Sequence, residues 1–205
     1  MEKEIVACNA LKHVHEGFNK ISQLEKIVKP DDQITQQFIL RSKVLLGGLD
    51  KRYSSDERIQ MLMQAIQMTI PNFRLSKIED YLYTLDEMKL VNQIGNAYSL
   101  AGDNEKAADI FYRLLQYMRR HLQEMVTSNR MLPLVLYNFA DLWTCWKDMK
   151  KAQELQEMEK KLALNMDIIK YFTLVWKSKL SVISSLAKKK RVQSDIVRPF
   201  TFAKL

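Results

Sequence analysis

Tight turns are scarce in this sequence, because its 205 residues include only five glycines and four prolines. Strands joined by short turns depend on these two residues, so a β-sheet protein of this size is disfavoured. Apolar residues instead recur at steps of three and four, as at Leu11, Val14, Phe18 and Ile21, which is the period of an amphipathic helix. With hydrophobic residues at 47% to form a core, the sequence predicts an all-α fold.

Start and stop signals divide the chain into about nine helices. The clearest start is Thr84-Leu85-Asp86-Glu87, a capping box in which threonine and glutamate each bond the backbone of the other. The helix that it opens ends at Gly102, since glycine adopts the left-handed conformation easily. Pro30 stops a single helix over residues 2–28, and the pair Gly47-Gly48 ends the next helix.

One segment has the residue pattern of a tetratricopeptide repeat (TPR). Ile94, Gly95, Tyr98, Ala107 and Phe111 stand at the repeat's spacing; Gly95 and Ala107 would let two helices approach, with aromatic rings beside them. A second, weaker copy follows 45 residues later at Phe139, Ala140, Trp143 and Ala152. Packing is the expected role of these residues. The sequence therefore predicts a right-handed array of antiparallel helix pairs, a TPR-like solenoid.

This pattern divides the chain into a repeat domain and a tail. The domain covers residues 1–187, and residues 188–205 form a basic tail. The expected parts of the repeat domain are a linker helix over 1–30, helix pairs over 31–165 and a terminal helix over 166–187.

The net charge of +8 does not predict a DNA-binding surface on the repeat domain. Residues 166–205 hold nine lysines and arginines against two aspartates, so residues 1–165 carry a net charge of only +1. A fold that grips nucleic acid is expected to carry its basic residues on its own surface. The segment 1–10 has no signal-peptide pattern and no apolar run is long enough for a membrane span. A reduced, cytoplasmic location is expected, since Cys8 and Cys145 lie far apart.

Residue patterns of catalysis are missing from the sequence. His13 and His15 are two residues apart and point to different faces of a helix, and His121 stands alone. There is no glycine-rich phosphate loop and no nucleophile elbow. The sequence therefore predicts a binding protein that is not an enzyme and needs no metal or cofactor.

The first helix of each pair lines the concave side of a helix-pair array, and this indicates where a ligand would bind. The predicted ligand-binding residues are Asn92, Asn96, Ser99, Tyr137, Asn138 and Asp141. Asparagine is a poor residue inside a helix, but its amide can both donate to and accept from one peptide unit of an extended ligand. Tyr137 could contact an apolar side chain. Alternatively, Asn92 and Asn96 are simply exposed, and Asn138 bonds a neighbouring helix.

Several runs in order resemble the ligand-binding half of the Rgg/PlcR-type transcription regulators of Gram-positive bacteria. The resemblance covers about residues 31–160 and rests on the runs 68–73, 78–81, 84–87, 90–95 and 136–139. It implies a TPR-like domain that dimerises and often binds a short secreted peptide. DNA would be bound only through a helix-turn-helix domain, which we expect to be absent from this chain.

Two other functions fit the same sequence. A stand-alone TPR-type adaptor would bind a protein segment on the concave face without any DNA-binding activity. The last helix also has a polar stripe beside Phe172, Trp176 and Leu180, so it could lie on an anionic membrane. Such a helix more often packs on the preceding pair or on a second copy of the chain.

The apolar terminal helix predicts a two-fold dimer, because monomers seldom expose a patch as large as Phe172, Val175, Trp176 and Leu180. Light scattering should report a dimer for the intact chain and a monomer for Trp176→Asp. A monomer in both samples would contradict the prediction.

Overall fold

The computed structural model describes residues 1–121 and 128–145, and all regular secondary structure in those residues is helical. The all-α prediction is therefore confirmed over these ranges. Ala152, the predicted helices beyond residue 145, the terminal helix over 166–187 and the tail over 188–205 lie outside the described residues. The helices are α1 (Glu2–Ala10), α2 (Val14–Glu25), α3 (Gln33–Leu49), α4 (Ser55–Thr69), α5 (Leu85–Ala101), α6 (Asn104–His121) and α7 (Ser128–Cys145), with a 3-10 helix over Leu75–Asp80.

Each α-helix packs against the next α-helix along the chain, the 3-10 helix packs against α6, and α5 also packs against α7. The direction of α6 relative to α5 follows from three contacts. Lys106 at the start of α6 lies over the ring of Tyr98 near the end of α5, at 4.3 Å. Phe111 faces Gly95 in the middle, and the Tyr117 hydroxyl near the end of α6 accepts from the Tyr83 amide just before α5, at 3.1 Å. The two helices are therefore antiparallel.

The predicted capping box at the start of α5 is present. The Thr84 amide donates to Glu87 Oε2 at 2.7 Å, and the Glu87 amide donates to Thr84 Oγ1 at 3.3 Å. A second capping box, between Ser54 and Glu57, opens α4. Gly102 ends α5 with φ +87°, as its position in the sequence predicted.

The prediction of one helix over residues 2–28 is wrong, because the chain breaks between α1 and α2. Lys12 adopts the left-handed conformation with φ +60°. The His13 amide then donates to the Cys8 carbonyl at 2.8 Å and the Lys12 amide to the Asn9 carbonyl at 3.2 Å. This is the hydrogen-bond pattern of a Schellman helix end. A lysine occupies the position that usually takes glycine, so the sequence carried no stop signal.

Helix α3 ends one residue beyond the predicted end at Gly47-Gly48. The helix continues to Leu49, and Lys51 takes the left-handed conformation at φ +57°. Gly47 instead serves packing, since a Cβ at this position would overlap the ring of Tyr53. The two glycines therefore lie inside a helix, where Gly47 makes room for an aromatic side chain.

Tyrosines hold the segment between α4 and α5 in place. The Tyr81 hydroxyl donates to the Asn72 carbonyl at 2.8 Å and accepts from the Arg74 amide at 3.0 Å. Tyr83 packs edge-on against Tyr117, with ring centroids 4.8 Å apart. Burial raises the pKa of the Tyr83 hydroxyl far above its usual range, so this group stays protonated while it donates to the Ile78 carbonyl at 2.9 Å.

Gly95 lets the ring of Phe111 on α6 lie close against α5. A Cβ placed on Gly95 would lie 2.7 Å from Cε1 of Phe111, and Phe111 is fully buried. Phe111 also contacts Phe139 of α7, with ring centroids 6.2 Å apart. Of the other residues in the repeat pattern, Ala107 is buried, while Tyr98 is half-buried under Lys106.

We expect Gly95→Ala to destabilise the fold although alanine is the better helix former. Overpacking a buried site costs roughly 1–3 kcal/mol, which exceeds the gain of up to about 1 kcal/mol in helix propensity. Gly48→Ala is the matched control, because its Cβ would meet only Nη1 at the far end of the Arg58 side chain, at 3.4 Å. Urea unfolding should show a lower midpoint for Gly95→Ala and an equal or higher one for Gly48→Ala. Equal stability of both variants would contradict this packing.

Candidate ligand-binding surface

Between its exposed end residues Asp86 and Ala101, helix α5 leaves a narrow stripe open to solvent, because α4, α6 and α7 cover its other sides. The stripe consists of Lys89, Gln93, Asn96 and Leu100, which are spaced by three or four residues, together with the adjacent Ser99. Leu100 is 65% exposed, and the other four residues are half-buried. We call these five residues the α5 stripe.

Helix α7 has a corresponding exposed stripe. Leu134 is 43% exposed and Tyr137 is 47% exposed, and Asp141 is also exposed. These three residues, which we call the α7 stripe, are spaced by three and four residues. The opposite side of α7 is buried through Val135, Phe139 and Leu142, so the helix has one buried and one open face.

A hydrogen bond between two asparagines joins α5 to α7. Asn138 Nδ2 donates to Asn92 Oδ1 at 3.0 Å. Asn92 is only 2% exposed, whereas Asn138 is half-buried. A buried amide without a partner destabilises a fold. This bond gives the side-chain carbonyl of Asn92 a partner in the interface between α5 and α7. It is also a specific polar contact between the two helices.

The structure distributes the six predicted ligand-binding residues over three environments. Asn92 and Asn138 bond each other, as the alternative interpretation expected for Asn138. Asn96 and Ser99 belong to the α5 stripe, and Tyr137 and Asp141 belong to the α7 stripe. Contact of any of them with a ligand stays a prediction.

Sequence reasoning missed Gln93 as a candidate. Gln93 adjoins Asn92 in the sequence and lies one turn before Asn96. Its Oε1 is buried and has no hydrogen-bond partner. The spacing from Lys89 to Gln93 and Asn96 was the available signal, because residues three and four apart share a helix face. Leu134 was missed as well, and it adds exposed apolar surface to α7.

An ion-pair network ties the start of α5 to α3. Asp86 Oδ1 accepts from Arg41 Nη1 and from Lys89 Nζ, both at 2.9 Å. Partial burial raises the pKa of Asp86, but the hydrogen bonds and charges of Lys89 and Arg41 outweigh burial and lower the pKa overall. Asp86 is therefore ionised at neutral pH.

Other sites of chemistry are limited in the described part of the chain. Residues 1–121 and 128–145 contain no group of three histidine, cysteine or acidic side chains placed to hold a metal ion. In the same ranges no helix has the length and apolar character needed to cross a bilayer. Cys8 is buried, and burial raises the pKa of its thiol.

Comparison with protein-family models, with curated proteins and with solved structures finds no match to this chain.

We expect Asn138→Ala to lower the free energy of unfolding by roughly 1–3 kcal/mol, because it leaves the buried Asn92 carbonyl without its donor. Asn96→Ala is the matched control on the α5 stripe and should change stability by less than about 0.5 kcal/mol. Thermal and urea unfolding of both variants tests this. If Asn138→Ala were as stable as the parent chain, the Asn92–Asn138 bond would not be a structural contact.

Proposed function

We propose that the α5 and α7 stripes form one binding surface for an extended peptide. In this proposal the chain is a TPR-like repeat that serves as the ligand-sensing and dimerisation domain of a cytoplasmic transcription regulator. The observation that carries the proposal is the Asn92–Asn138 bond, which places an amide of α7 beside the polar stripe of α5.

The chemistry of the two stripes suits a peptide main chain with apolar side chains. Asn96 supplies an amide that can donate and accept, whereas Gln93, whose Oε1 is buried, can offer only its N–H donors. Leu100, Leu134 and Tyr137 supply exposed apolar surface, and aromatic residues in particular are frequent anchors of peptide and protein interfaces. A ligand that alternates peptide groups with apolar side chains would use both kinds of contact.

Asn138 has hydrogen-bonding capacity beyond its bond to Asn92. A primary amide carries two N–H donors and a carbonyl with two lone pairs, and the bond to Asn92 uses one donor. The second N–H and the carbonyl could bind one peptide unit while the bond between the helices is kept. Asn92 would then act by orienting Asn138, because Asn92 itself is 2% exposed.

The packing of successive helices and the contact of Gly95 with Phe111 support a repeat architecture. The role in transcription rests on the resemblance to Rgg/PlcR-type regulators. In that role, peptide binding would act on DNA through dimerisation and through a helix-turn-helix domain outside this chain. The proposed dimer helix lies outside the described residues.

Affinity selection from a random octapeptide library, followed by calorimetric titration of the selected peptide, tests this function. Asn96→Ala should weaken binding by about tenfold, the loss expected for one or two hydrogen bonds, with an unchanged melting temperature. Gln60→Ala, an exposed amide on α4, should bind normally. Because the contact is to main chain, peptides of different sequence should lose similar affinity. Unchanged binding by Asn96→Ala would contradict the proposed surface.

A further inference from the structure

Helix α4 presents an uncharged face to solvent. From Ile59 to Phe73 the chain contains no lysine, arginine, aspartate or glutamate, whereas solvent-exposed helix faces usually carry charged residues. The exposed residues of α4 within this stretch are three glutamines, spaced by four and three residues so that they share one side of the helix: Gln60, Gln64 and Gln67. We call these three residues the α4 face.

Methionines border the α4 face. Met61, Met63 and Met68 are half-buried, so each adds some apolar surface beside the glutamines. Methionine is flexible and adapts to irregular contact surfaces. The centres of protein interfaces are depleted in charge and enriched in methionine, so this composition is typical of a surface that contacts another protein chain.

Charged residues of opposite sign lie at the two ends of this helix. Asp56 and Glu57 are exposed in its first turn, whereas Arg74 and Lys77 are exposed in the segment that follows it. Along the chain the surface is therefore acidic, then neutral, then basic. Two copies of such a surface attract each other at both ends when their helices run in opposite directions, and they repel each other when the helices run in the same direction.

The α4 face also matches itself about its central residue. In a two-fold dimer every contact occurs twice, with the roles of the two copies exchanged. An axis through Gln64, perpendicular to the helix, pairs Gln64 with Gln64 of the second copy and Gln60 with Gln67. Because an amide both donates and accepts hydrogen bonds, identical amides can pair in this way. The same axis brings Met61 of one copy to Met68 of the other.

This axis brings the charged ends together as well. At about 1.5 Å per residue, Asp56 lies about 12 Å before Gln64 along α4, and the helix ends about 8 Å after Gln64, at Thr69. Arg74 follows that helix end by only a few residues. Asp56 of each copy would therefore lie close to the segment that holds Arg74 of the other copy.

We propose that α4 is a self-association surface, on which a second copy of this chain binds with its own α4 running in the opposite direction. The contact is one helix wide, so it buries less than the roughly 1,200 Å² of a stable interface and is weak. It forms at high concentration or between copies that are already held close together. It is separate from the peptide surface and from the terminal helix, because none of its residues belongs to the α5 stripe, the α7 stripe or residues 166–187.

Sedimentation equilibrium of the full chain from about 10 μM to about 1 mM tests the proposal, because the average mass of a weakly associating chain rises over this range. Trp176→Asp, which removes the predicted terminal-helix contact, should keep this rise. Gln64→Lys in the same background places two lysines at the axis and should abolish the rise. Gln23→Lys, which adds the same charge at an exposed position of α2, should associate as the parent does. A constant mass for Trp176→Asp, or an equal rise with Gln64→Lys, would overturn the proposal and leave a different protein as the partner of the α4 face.

Charge exchange tests the antiparallel arrangement. Asp56→Lys and Arg74→Glu should each weaken self-association by about tenfold, because each turns two attractive pairs of the dimer into repulsive ones. The double variant, in which every pair is again of opposite sign, should associate as the parent chain does. Asp31→Lys, at an exposed acid before α3, is the matched control and should not change the association. A double variant as weak as the single variants would overturn the antiparallel pairing.

Discussion

The close approach of α5 and α6 at Gly95 is the contact on which the described structure depends. Without a side chain at Gly95, the ring of Phe111 can lie against the backbone of α5. Phe111 in turn contacts Phe139 of α7, and α7 packs against both α6 and α5. Asn138, the residue next to Phe139, is then within hydrogen-bond distance of Asn92. The two exposed stripes are therefore a consequence of helix packing in the core.

The sequence predicted features that depend on neighbouring residues. The Thr84–Glu87 capping box and the left-handed Gly102 are local, and both are present. The helix end at Lys12 was missed because lysine, unlike glycine, gives no signal for a positive φ. The end of α3 was placed one residue early, at Gly47-Gly48. Gly47 was interpreted as a stop although it packs against Tyr53, a contact that only the tertiary structure reveals.

The candidate site was predictable in position but not in its hydrogen bonding. Helical period alone placed Asn96 and Ser99 on one side of α5 and Tyr137 and Asp141 on one side of α7. It could not show that Asn92 is buried, because the covering helix is distant in sequence. The bond from Asn138 to Asn92 depends on the register between two helices, and no local pattern encodes that register.

The central claim is that a peptide binds across the α5 and α7 stripes, and the side-chain amide signals of a ¹⁵N-labelled chain test it most directly. Titration with a library-selected peptide should shift the NH₂ signals of Gln93, Asn96 and Asn138 together. The signal of Gln60 should stay unchanged, because that exposed residue lies on α4 and belongs to neither stripe. Shifts confined to side chains of α1 to α4, with the three stripe amides unaffected at saturating peptide, would contradict the account.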